Sequence, residues 1–90
     1  MEIEISKKAQ KQLKKVPLHI RGRFKTWMFS IYVEGLQKTR TIKGYHDEPL
    51  KGKRQGQRSI RLSKSWRAVY SIEKKAINLI TVEEVHKHDY

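Results

Sequence analysis

Ile20, Phe24, Trp27, Met28 and Ile31 recur at helical spacing and form the heaviest apolar stripe in a chain that is 33% charged. Pro17 suits the first turn of such a helix and Gly35 offers a stop. A helix from Pro17 to Glu34 would be about 27 Å long at ~1.5 Å per residue. Its stripe must be buried, and that requirement shapes the rest of the fold.

The chain has 90 residues and no cysteine, so one modest core must suffice, without disulfides or thiolate metal sites. This predicts a single domain over residues 1–90. No apolar run approaches the ~18 residues of a membrane span, and no signal-peptide pattern opens the chain. The expectation is a soluble cytoplasmic protein with no membrane partner.

Upstream of the long helix, Glu2-Ile3-Glu4-Ile5 alternates and reads as a first strand. Ser6 is a plausible N-cap, and Ala9, Leu13 and Val16 give a lysine-rich helix one apolar face. Thr39 to Gly56 is polar and punctuated by Gly and Pro, which predicts a long loop. Three strand-like runs follow, Gln57 to Ser63, Trp66 to Ile72 and Ala76 to Glu84, joined by the short turns Lys64-Ser65 and Glu73-Lys74-Lys75. The predicted architecture is α+β, in the order β-α-α-β-β-β, with a mostly antiparallel sheet carrying a helical hairpin on one face.

Strand parity divides this sheet into two faces. Ile60 and Leu62 share a side, as do Trp66, Ala68, Tyr70 and Ile72, and these should cover the helices. Arg61 and Arg67 then fall together on the open face, where paired guanidinium groups make a phosphate clamp or a solvated surface. Arg58 has apolar parity and is expected at the strand edge with its head in water. The last run places Ile77 and Leu79 on one parity and Ile80 and Val82 on the other, which predicts a strand buried on both sides. Its parity gives no face to His86, but an extended chain would point Glu84, His86 and His88 the same way.

Twenty-one Lys and Arg against nine Asp and Glu give a formal charge of +12. The basic residues are spread along the chain, which indicates a folded cationic surface and a polyanionic or acidic partner. Nucleic acid fits best. Proton-transfer groups crowd the end of the chain, in His86-Lys87-His88-Asp89-Tyr90. They could ligate a metal, act as general acid and base, or form a solvated tail. His19, at a helix start, is expected to be structural or exposed. His46, in the loop before Pro49, lies within possible reach of the site.

Pro49-Leu50-Lys51-Gly52, Gly56, Ser59-Ile60-Arg61-Leu62, Trp66-Arg67-Ala68-Val69-Tyr70 and the histidine-containing end together resemble the RelE/ParE toxin superfamily. The likeness is strongest to its HigB, YoeB and YafQ-like ribonucleases and spans nearly the whole chain. The resemblance implies a RelE-like fold and the toxin of a bacterial type II toxin–antitoxin pair. Its activity would be cleavage of mRNA, on the ribosome, without metal or other cofactor. It further implies a neutralising antitoxin with a helix-turn-helix module. By this likeness Arg67 matches the phosphate-binding arginine, His86 falls near the catalytic histidine, and His88 and Tyr90 stand at the catalytic C-terminus. Lys51 and Arg61 match basic positions and, with Lys53 and Arg54 of the same loop, make the RNA-binding set. Glu48 stands where the HigB pattern has a histidine, and the YoeB-type glutamate has no counterpart. The base is open between His86 and His88. A ParE-like inhibitor of DNA gyrase, sharing the fold but doing no catalysis, is the alternative. A plain basic nucleic-acid-binding domain is a third reading.

Overall fold

The computed structural model describes residues 1–73 and 79–87. Among these, β1 (Glu2–Ile5) leads into α1 (Lys7–Leu13), α2 (Leu18–Glu34) and α3 (Leu36–Arg40). After them come β2 (Glu48–Pro49), β3 (Gln57–Arg61), β4 (Trp66–Ile72) and β5 (Leu79–Lys87). The strands form one sheet in the order β1-β5-β4-β3-β2, with β1 parallel to β5 and every other pair antiparallel. Among the described residues no helix is long and apolar enough to cross a membrane.

Local chemistry accounts for the element ends. Ser6 Oγ accepts from Ala9 N at 3.0 Å and caps α1. Helix α2 begins after Pro17 and ends at Gly35, whose φ of +87° is open to glycine at no steric cost. The predicted loop over 39–56 is more structured than expected. It starts inside α3, where buried Thr39 donates to Gly35 O at 2.8 Å and lies 2.7 Å from Ser30 Oγ. It also contains two single-turn 3-10 helices, Lys43–Tyr45 and Gly52–Arg54, flanking β2.

Phe24, Trp27 and Ile31 of α2 pack with Ile60, Leu62, Ala68, Tyr70, Ile80, Val82 and Val85 in one core. The stripe and the strand parity therefore meet as expected, except at Ile72, which ends β4 and is exposed rather than packed against the helices. The last strand does not follow expectation. Its described part runs Leu79–Lys87 and keeps one apolar face, because a bulge changes its phase. Val82 pairs with Tyr70 and Glu84 with Val69, so Glu83 is the extra residue. Ile80 and Val82 before the bulge and Val85 after it thus all reach the helices. Ala76 and Ile77 lie outside the described residues.

The expectation for Arg58 is also corrected. Its Nε donates to Asp47 Oδ1 at 2.5 Å, and its side chain is only 19% exposed. Tyr70 Oη donates to the other oxygen of Asp47 at 2.6 Å. The helix-side parity that made Arg58 look misplaced instead gives a buried carboxylate its counter-charge.

Candidate active site

The open side of the sheet is built from residues with the opposite parity to the core. In register, Arg61 of β3 faces Arg67 of β4, and Arg67 faces His86 of β5. One step along, Glu48 of β2, Ser59 of β3, Val69 of β4 and Glu84 of β5 form a second row across four strands. The bulge at Glu83 puts His86 in line with Arg67 rather than on the core side. That bulge is held from both sides: Ser6 Oγ donates to Glu83 O at 2.8 Å, and Ser71 Oγ donates to its carboxylate at 3.0 Å.

The connection from β2 to β3 folds back over this face. Val69 is buried without belonging to the core cluster, because Leu50 and Arg54 lie with it around a groove. The groove, about 230 Å³, is lined by Leu50, Arg54, Ser59, Arg67, Val69 and His86. Arg67 Nη1 donates to Ser63 O at 2.7 Å and to Lys64 O at 3.2 Å, which tethers the guanidinium to the β3–β4 turn. Ser63 Oγ closes that turn by accepting from Ser65 N and Trp66 N, both at 3.2 Å.

Glu84 organises the other end. Its two oxygens pair with Lys8 from α1 and with Arg54 from the connection, so Arg54 is held across the face of the sheet. The hydrogen bond from Lys8 holds the Glu84 carboxyl below the usual carboxylate range against the opposing effect of burial, with Arg54 adding to the shift. His86 Nδ1 lies 4.0 Å from the same carboxylate. Arg54 Nη1 also donates to Gln57 Oε1 at 3.1 Å.

Because its folded pKa is lowered, Glu84 contributes stability that is present above the unfolded value and is lost as pH falls through the folded one. Glu84→Gln should therefore be less stable than the parent at pH 7, with the gap closing below about pH 4, the unfolded Glu value. Urea denaturation at pH 7 and pH 3 measures this. An equal gap at both pH values would contradict the assignment.

Of the expected site residues, Arg54, Arg67 and His86 are brought together at one groove. Arg61 pairs with Arg67 toward the hairpin end but does not line the groove. Lys51 and Lys53 are exposed on the connection and lie outside the lining. His19 and His46 are exposed and do not contribute to the lining. His88 and Tyr90 fall outside the described residues. Sequence reasoning missed Ser59 and Leu50 as walls and the central part played by Glu84. It also missed that Glu48 shares a face with the groove. The register of β2 on β3 supplies that, and two residues of strand leave almost no pattern in a sequence.

A YoeB/ParE toxin from Agrobacterium tumefaciens superimposes with a TM-score of 0.77 over 99% of this chain and 100% of that one, at 16% identity. The fold is that of the RelE/ParE toxins. A YafQ mutant from E. coli gives a TM-score of 0.74 over 96% of this chain and 91% of its own, at 22% identity. A chain of the YoeB-YefM complex from Staphylococcus aureus gives 0.72 over 100% and 98%, also at 22%. The E. coli DinJ-YafQ toxin-antitoxin complex is similar as well. No protein-family model and no curated sequence matches this chain. Identities this low speak to the RelE-like fold alone, so chemistry has to come from the groove.

Proposed function

We propose that this RelE-like protein is the toxin of a bacterial toxin–antitoxin pair and an endoribonuclease that cuts mRNA on the ribosome. The observation that carries the reading is the register pairing of Arg67 with His86 at the groove that Arg54 also lines. Phosphodiester cleavage needs cationic stabilisation of a phosphorane-like transition state, a base and an acid. A guanidinium and an imidazole paired in register on adjacent strands supply two of these groups at one groove.

In this reading the ribose 2′-hydroxyl loses its proton to a base and attacks the adjacent phosphorus. The P–O5′ bond breaks as an acid protonates the leaving oxygen. The products are a 2′,3′-cyclic phosphate and a 5′-hydroxyl, so atoms and charge balance without an added reagent. Arg67 holds the scissile phosphate and Arg54 adds charge across it. Arg61, Lys51 and Lys53 track the flanking backbone. His86 and His88 divide the proton transfers, and Tyr90 stacks on a base or assists. An acidic antitoxin, helix-turn-helix in type, neutralises the protein.

Primer extension on cellular mRNA after induction, with chemical mapping of the new ends, tests this. The expected result is codon-phased breaks with 5′-hydroxyl ends, absent after induction of His86→Ala. General acid–base groups contribute about 10²–10⁴-fold, so residual cleavage by that variant should be barely visible. The similarity to a structure named as a YoeB/ParE toxin makes gyrase inhibition the competing outcome. Intact mRNA together with inhibited DNA supercoiling would overturn the nuclease reading.

A further inference from the structure

β1 accompanies β5 only as far as Val82, where Ile5 is its partner in register. Beyond that point the same edge of β5 still carries backbone groups that need hydrogen bonds. The start of α1 takes over from the strand. Ser6 N donates to Val82 O at 2.9 Å, and Ser6 Oγ donates to Glu83 O at 2.8 Å. Gln12 Oε1 accepts from Val85 N at 2.7 Å, and Lys8 pairs with the Glu84 side chain. Val82, Glu83, Glu84 and Val85 are thus each tied to α1 or its N-cap, immediately before His86. Glu84 and His86 leave this anchored stretch on one face of the sheet, opposite Val69 and Arg67.

The two oxygens of Glu84 have different neighbours. Oε1 pairs with Lys8, on the α1 side. Oε2 pairs with Arg54 and is also the oxygen that lies 4.0 Å from His86 Nδ1. Both of those partners line the groove. At 4.0 Å the contact with His86 is too long for a hydrogen bond. Contacts of this kind are often long in a free enzyme and shorten once substrate is bound. The group beside one ring nitrogen of an imidazole decides which nitrogen carries the proton. A proton on Nδ1 meets the carboxylate and leaves Nε2 as the atom able to accept one.

We infer that Glu84 is a positioning residue for His86, orienting the imidazole through Oε2 so that its Nδ1 proton points at the carboxylate. A base held by a third group is the general arrangement of proton-transfer sites, and the ties to α1 keep the carboxylate in place for it. What matters is a charge of the right reach at residue 84. The Lys8 side chain is 64% exposed, so its pair contributes little to the arrangement. The inference rests on the nuclease reading for the reaction that His86 serves, but not for the contact itself.

Two measurements on the full chain test it. With nitrogen-15-labelled histidine near pH 8, where an ordinary imidazole of pKa about 6.5 is neutral, long-range proton–nitrogen correlation shows which ring nitrogen is protonated. His86 should carry its proton on Nδ1 in the parent and in Lys8→Met. Glu84→Ala should shift it toward the Nε2-protonated form that imidazoles favour in water, with circular dichroism as the control for folding. A His86 signal that Glu84→Ala leaves unchanged overturns the proposal, whether or not the protein cuts RNA. The second measurement uses Glu84→Gln, which keeps the size of the side chain, in single-turnover cleavage of an mRNA fragment. The maximal rate should fall about 10–100-fold, the usual effect of removing a group that orients a functional histidine. The RNA concentration giving half that rate should change by less than about threefold. In a His86→Ala background the same substitution should cost no more than about threefold, because groups acting as a unit are not additive. A loss there as large as in the parent would mean that Glu84 acts through Arg54 or stability alone, and would equally overturn the proposal. A parent that does not cleave RNA defeats the nuclease reading and leaves the histidine spectrum to decide the contact.

Discussion

Arg67→Ala should reduce mRNA cleavage by about 10²–10³-fold, the usual cost of removing one preorganised donor from a developing anionic charge. Growth arrest on induction should disappear while the protein stays folded. Its neighbours are badly placed to replace it. Arg54 is committed to Glu84, and Arg61 does not line the groove. The same substitution removes the hydrogen bonds to Ser63 O and Lys64 O. Those carbonyls belong to a short surface turn that water can reach, so their loss should cost only about 1 kcal/mol. Arg67→Lys keeps the charge but not the planar, two-pronged geometry, and should recover only part of the activity. Single-turnover cleavage of an mRNA fragment, with circular dichroism as the control for folding, measures all three proteins. A folded Arg67→Ala variant with parental activity would sink the assignment.

What could be read from the sequence depended on how local the cause was. The α2 stripe, the Ser6 cap and the parity of β3 and β4 are consequences of neighbouring residues, and each carries over to the structure. The pairing of Arg61 with Arg67 followed from parity and a short turn. His86 was harder, because its face depends on a bulge at Glu83, and that bulge is stabilised by Ser6 and Ser71. Neither partner is close in sequence. The link from Arg54 to Glu84 spans 30 residues and joins the β2–β3 connection to β5, beyond the intervening β4. Nothing in composition or spacing announces it. The 39–56 segment reads as a loop because Glu48 and Pro49 have little strand propensity. They form β2 because β3 presents an edge for them.

That segment leads to the second prediction. Asp47→Ala should destabilise the protein by about 3–5 kcal/mol, the cost of leaving a buried charge without its partner. The total stability expected of 90 residues is only about 5–13 kcal/mol, so much of the margin would go. The Asp47 side chain is 1% exposed and accepts from both Arg58 and Tyr70. Burial opposes the charge on Arg58, but the hydrogen bond and charge of Asp47 outweigh it and raise the guanidinium pKa. Burial raises the Tyr70 pKa far above the usual phenol value of about 10, with the hydrogen bond and charge of Asp47 adding to it. The folded state thus keeps the Tyr70 proton where the unfolded state releases it. That contribution is complete below about pH 10 and is lost as pH rises further. Tyr70→Phe should cost about 1 kcal/mol near neutrality, since Asp47 keeps Arg58, and should flatten this alkaline limb. Asp47→Asn, which retains an acceptor, should fall between the parent and Asp47→Ala. Asp47 directly precedes Glu48 and lies three residues before Leu50, so its loss also loosens the wall of the Arg67–His86 groove. Activity of Asp47→Ala should therefore decline at temperatures where its circular dichroism is still native. Urea midpoints from pH 7 to 10.5 test the series. An Asp47→Ala loss below about 1 kcal/mol would show that the pair is not the latch between this segment and the sheet.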